Sequence, residues 1–152
     1  MSNQNRLPRT GHLSQVERKA HKIDLSAWRI LIIDDKIDNL AIAQAAMTFH
    51  GAEVKTAMNG LEALSLMKSF IPTVILLDLS MPEMDGWEMH KRLKANPDTA
   101  TIPVIALTAH AMQGDKERVL EAGFTGYIAK PYTIATLVQE MQTIINATNA
   151  GQ

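Results

Sequence analysis

The chain has 152 residues, 46% of them hydrophobic and 20% charged, with a formal net charge of −1, a balance that reads as one soluble globular domain long enough to bury a core. The near-neutral charge argues against a general nucleic-acid binder, and the absence of cysteine excludes disulfides, thiolate nucleophiles and thiolate metal sites. No apolar run is long enough to span a membrane and the N-terminus lacks the apolar block of a signal peptide, so a cytoplasmic protein with neither membrane nor nucleic acid as a partner is expected.

Residues 1–27 are poor in large apolar side chains and carry Arg6, Arg9, Arg18, Lys19 and Lys22 against Glu17 and Asp24. They read as a polar, mildly basic tail with a short helical pattern through "LSQVERKAHKI". The texture changes at Trp28, where a domain over 28–147 is expected to begin, with 148–152 as a C-terminal tail. "RILII" is a β-branched run that predicts a buried strand ending at Asp34 and Asp35. "DNLAIAQAAMTFHG" predicts a helix stopped by Gly51, and "AEVKTA" alternates as a second strand. "NGLEALSLMKSF" opens on Asn59 and carries Leu61, Leu64 and Met67 at helical spacing. "TVILL" is a third strand ending at Asp78, followed by the loop "SMPEMDG" and the helix "WEMHKRLKAN". "IPVIALTA" is a fourth strand, with Pro103 near its start, where a ladder donor is least needed. "MQGDKERVLEAG" is a helix ending at Gly123, and "GYIA" is a short fifth strand. In "TIATLVQEMQTII", Ile134, Leu137, Val138, Met141, Ile144 and Ile145 lie on one stripe of a final helix.

Apolar strands alternating with helices imply a parallel sheet covered on both faces, and right-handed crossovers leave the α/β doubly wound, flavodoxin-like order 2-1-3-4-5 as a natural topology. Function then gathers beyond the carboxyl ends of the strands. Asp34 and Asp35 end the first strand, Asp78 the third and Thr108 the fourth, while Lys130 and Pro131 follow the fifth. Three converging carboxylates raise one another's pKa, and an oxygen-only set suits Mg²⁺, or Mn²⁺ in its place, rather than zinc. A metal, a lysine and a hydroxyl together fit a phosphoryl group. Lys130 must turn back over Asp78, so a cis Lys130–Pro131 peptide is expected.

The segments "IIDD", "ILLDLSMPEMDG", "IALTA" and "GYIAKP" resemble, in order, the signature segments of bacterial response-regulator receiver domains, the CheY-like family. The resemblance runs from about Trp28 to Ala147. It implies that Asp78 is the phosphoacceptor, taking a phosphoryl group from a sensor histidine kinase or a histidine phosphotransfer protein. It implies that Asp35, Asp78 and the Ser80 backbone carbonyl hold Mg²⁺, with Asp34 acting directly or through water. Lys130 would pair with Asp78, Thr108 would bond the phosphoryl oxygens, and Tyr127 would be the switch aromatic. Ala109 would leave room beside the phosphate, and Ser80 and His110 would tune the lifetime of the phosphorylated state. The domain would catalyse only its own phosphorylation and dephosphorylation. With only "NATNAGQ" after the last helix and a short front segment, output is expected to pass to a protein partner on the face of the fourth helix, fifth strand and fifth helix.

Plainer readings stand beside these. Asp34 alone would serve as a helix cap, Glu83 and Asp85 as exposed loop charges, and the nine methionines as core filler. His12, His21, His50 and His90 show no ligand spacing, and no P-loop or GxGxxG follows the first strand. A phosphohydrolase of the haloacid dehalogenase type would need a second Asp where Ser80 stands, and an unphosphorylated receiver-like module would typically lose the acidic pair or the lysine, which this chain keeps.

Overall fold

The computed structural model describes residues 23–81, 85–109 and 113–150. Five strands alternate with five helices: β1 (Arg29–Ile33), α1 (Ile37–Phe49), β2 (Glu53–Ala57), α2 (Gly60–Leu66), β3 (Val74–Asp78), α3 (Gly86–Ala95), β4 (Val104–Thr108), α4 (Gln113–Glu121), β5 (Gly126–Ala129) and α5 (Ile134–Ala150). The strands form one parallel sheet in the order β2-β1-β3-β4-β5, the doubly wound arrangement that the apolar runs predict.

Alternate residues of the central strands feed two cores. Ile30, Ile32, Val74, Leu76, Ile105 and Leu107 pack under α1 and α5 with Leu40, Met47, Leu137 and Met141. Leu31, Ile33, Ile75, Leu77, Val104 and Ala106 pack on the other side with Ala63, Met89, Leu93 and Val119. β1, β3 and β4 are therefore buried on both faces, which is why they read as unbroken apolar runs. β2, at the edge, alternates exposed and covered residues.

Several expectations shift. Leu25 is fully buried in the α1/α5 core, and its N–H donates to the His50 carbonyl at 2.7 Å, so packing begins ahead of Trp28. α5 continues to Ala150, past the boundary placed at Ala147. Leu61 and Ile134 point outward, each being in the first turns of its helix, where the sheet does not cover them; Ala63 takes the inward place in α2. The helical pattern before Ile23, His12, His21, Glu83 and His110 lie outside the described residues. Among the described residues no helix is long and apolar enough to cross a membrane.

Candidate functional site

The parallel register brings the polar strand ends to one edge. Asp34 follows β1, Asp78 closes β3 opposite Leu107, and Thr108 closes β4 opposite Ala129. Lys130 follows β5, its N–H donating to the Thr108 carbonyl at 2.8 Å, and the Lys130–Pro131 peptide bond is cis.

The Lys130 Nζ lies 3.1 Å from Asp34 Oδ2 and 3.1 Å from Asp78 Oδ1, with Asp34 fully buried and Asp78 nearly so. Asp34 has further partners: Oδ1 accepts the Lys36 N–H at 2.9 Å, and Oδ2 accepts Asn39 Nδ2 at 3.1 Å. It does not cap α1, whose N-cap is Lys36. Asp78 Oδ1 also accepts the N–H of Ser80 at 3.1 Å. Burial pushes the Asp78 carboxyl above its ordinary range, aided by the charge of Asp34, against the opposing contacts of Ser80 and Lys130. Burial works against the charge of Lys130, but its bonds to Asp34 and Asp78 hold its pKa above the ordinary value. Lys130 is thus a fixed cation between two buried carboxylates.

One lysine does not compensate three carboxylates. One oxygen each of Asp34, Asp35 and Asp78 lies within 4.8 Å of the others, and the buried Asp35 Oδ1 has no hydrogen-bond partner. A buried carboxylate oxygen without a donor is costly unless a cation meets it. The all-oxygen set fits a hard divalent ion.

Around this centre the structure places Thr108 buried, Ala109 and Ser80 exposed, and Tyr127 half-buried with the Lys116 Nζ 5.5 Å from its ring centroid. A cavity of about 500 Å³ opens beside Lys130, lined by Lys36, Asn39, Ile42, Ala109, Pro131 and Tyr132. Asn39 and Tyr132 belong to the site although no motif marked them. Asn39 sits in the first turn of α1, five residues past Asp34. The Tyr132 hydroxyl donates to the Asn39 carbonyl at 3.4 Å, and its pKa is pushed up to about 12 by burial and by Asp34 and Asp78.

Asp85 is not an idle loop charge. It caps α3, accepting the Glu88 N–H at 2.8 Å. The next residue, Gly86, lies against the end of β3: a Cβ there would sit 2.3 Å from the Asp78 carbonyl oxygen and 2.6 Å from Leu79 Cα. Only glycine permits that approach, which fixes how α3 leaves the site.

Residues 30–142 match the response regulator receiver domain family. The chain belongs to this family. Among similar receiver proteins, the polar-differentiation response regulator DivK of Brucella anthropi is 35% identical over 116 residues, covering 76% of this chain and 94% of DivK. An uncharacterized 14.6 kDa protein of Leptolyngbya boryana is 37% identical over 118 residues, covering 78% of this chain and 90% of that protein. The chemotaxis response regulator CheY4 of Vibrio cholerae superposes with a TM-score of 0.73 at 29% identity, covering 77% of this chain and 98% of CheY4. The chain is therefore a receiver domain of two-component signalling, a family that generally does not act as a true enzyme; receiver domains bind Mg²⁺ in an acidic pocket, and this chain has an aspartate cluster that could hold a metal.

Proposed function

We propose that this receiver domain is a Mg²⁺-dependent phosphoacceptor that takes a phosphoryl group onto Asp78 from a histidine kinase or phosphotransfer protein and signals through phosphorylation-dependent protein binding. The observation that carries the reading is the Asp78 carboxylate, held at the open edge of the sheet between the Lys130 ammonium and the Ser80 N–H, beside the unpartnered Asp35 oxygen. Asp35, Asp78 and the Ser80 carbonyl, with Asp34 directly or through water, are the proposed holders of the ion, which when bound would neutralise charge on the transferring group.

The residues of the chain do the rest. A carboxylate oxygen of Asp78 forms the new O–P bond while the P–N bond of a phosphohistidine breaks, its electron pair leaving with the imidazole. Lys130 is held by Asp34 and Asp78 so that its charge already stands where phosphoryl oxygens arrive. Thr108 supplies a hydroxyl to the phosphoryl group, and the space it leaves admits Tyr127. Ser80 and His110, flanking the path of attacking water, set the lifetime of the acyl phosphate. The output surface is the groove between α4, β5 and α5, about 770 Å³, lined by Leu120, Tyr127, Ala129, Gln139, Thr143 and Ile144.

The test is labelling with radioactive acetyl phosphate or a phosphorylated kinase. Mg²⁺-dependent, hydroxylamine-sensitive incorporation that disappears in Asp78→Asn is the expected result. Equal label in Asp78→Asn would place the acceptor elsewhere.

A further inference from the structure

Helix α1 is apolar on the side it shows to solvent as well as on the side it buries. Ile37, Ile42 and Phe49 are 66%, 39% and 76% exposed. Ile37, Ala41, Ala45 and Phe49 recur every four residues, all exposed, making one stripe along the helix, whose only charge is Asp38. A charge-poor stripe of this length is a surface that fits a cover.

The stripe ends where the described chain begins. The Phe49 ring meets His50 edge-on at 5.1 Å, and His50 Nδ1 lies 3.1 Å from the Ile23 carbonyl oxygen. Twenty-two residues precede Ile23, and in them Leu13, Val16 and Ala20 lead to Ile23 at spacings of three, four and three, a pattern with the period of one helix face. At about 1.5 Å per residue such a face runs about 15 Å from Ile23 to Leu13, and α1 is about 20 Å long.

Charge points the same way. Residues 1–22 hold five Lys or Arg and one acid, whereas residues 23–152 hold ten Lys or Arg and fifteen acids. Asp34, Asp35, Asp38 and Asp78 gather around the Ile37 end of α1, the end that Arg9 and Arg6 reach if the segment follows the stripe.

We propose that residues 1–22 fold back along the solvent face of α1, with Leu13, Val16 and Ala20 against the stripe and Arg6 and Arg9 toward the acidic end. The segment is then a built-in competitor for any protein that docks on α1. This does not depend on whether Asp78 is phosphorylated.

The chain has no cysteine, so an introduced pair is unambiguous. Val16→Cys combined with Ala45→Cys is compared, in the full chain under mild oxidation, with Val16→Cys combined with Ala95→Cys, an exposed position on α3 across the sheet. The expected result is an intramolecular disulfide forming at least about tenfold faster in the α1 pair, as a raised local concentration requires. Equal rates, or a disulfide that joins two chains, would overturn the proposal. As a second measurement, maleimide labelling of the lone thiol of Ala45→Cys is expected to accelerate severalfold when Leu13→Asp and Val16→Asp are added. An unchanged labelling rate would equally overturn it.

Discussion

Lys130 shows how one side chain sets the electrostatics of the site. Its ammonium is shared by Asp34 and Asp78, two buried carboxylates. Removing Lys130 leaves that pair to a divalent ion alone. Lys130→Met is therefore expected to be less stable in EDTA than wild type and to gain more melting temperature on adding Mg²⁺; an equal Mg²⁺ increment in both proteins would show that the lysine and the ion do not share the compensation. Asp78→Asn works in the opposite direction. It takes one charge out of a cluster in which the Asp78 carboxyl already sits above its usual range, so metal-free stability should rise, read as an upward shift of the urea midpoint at pH 7. These groups were legible in the sequence because each ends an apolar run or follows a strand, and a parallel sheet sends all such ends to one edge. Asn39 and Tyr132 were not, because their part in the site is a contact between α1 and the chain after β5 that no local spacing encodes.

Among the elements, α3 carries the tightest constraint. Asp85 and Gly86 are adjacent, yet one caps a helix at the surface and the other touches the backbone of Asp78. Asp85→Ala should cost about 1 kcal/mol, the worth of an N-cap, and leave phosphorylation unchanged. Gly86→Ala should cost about 1–3 kcal/mol of overpacking and also slow phosphorylation, because the added methyl can be housed only by moving the end of β3. Urea unfolding and acetyl-phosphate labelling of both variants check the pair, and a Gly86→Ala protein that labels at the wild-type rate would disconnect α3 from the acceptor. The loop "SMPEMDG" was legible in the sequence, but the approach of Gly86 to Asp78 was not, since that distance exists only once α3 is docked. The sequence also places Leu61, Leu64 and Met67 at helical spacing, yet Leu61 is exposed in α2. That helix has only two turns, and its rotation is set by the Asn59 cap, which accepts the Glu62 N–H at 2.8 Å and leaves Ala63 to face the sheet. In the fourth helix, Lys116 lies over Tyr127, and Arg118 lies over Trp87 at 4.8 Å. Substituting either therefore removes a ring contact worth about 0.5–1 kcal/mol as well as a surface charge.

Across the whole molecule, the two faces of the sheet differ in how polar groups are treated. The α1/α5 side leads to the acidic site, while the α2/α3/α4 side buries His90, a histidine outside the acidic cluster. His90 is 2% exposed, its ring stacks on Phe124 at 3.8 Å, and its Nε2 has no partner. Phe124 also meets Trp87 edge-on at 5.6 Å, so α3 and the turn after α4 are joined through these three rings. Burial, with the charge of Lys94 adding to it, lowers the His90 pKa from 6.5 to about 4. The neutral form is thus the one that folding selects. With the folded value below the unfolded one, the stabilisation is complete above about pH 6.5 and is lost as pH falls toward 4, because the unfolded chain then binds a proton that the folded chain resists. The full effect is on the order of 3 kcal/mol. His90→Phe keeps a flat ring on Phe124 and removes the titration. Its unfolding free energy should therefore fall less steeply than that of wild type between pH 7 and pH 4.5, the carboxylates contributing equally to both proteins. Parallel pH profiles for the two would mean that His90 takes up its proton by moving into solvent, where burial no longer opposes it, and that the ring contact between α3 and the turn after α4 opens well before the sheet does.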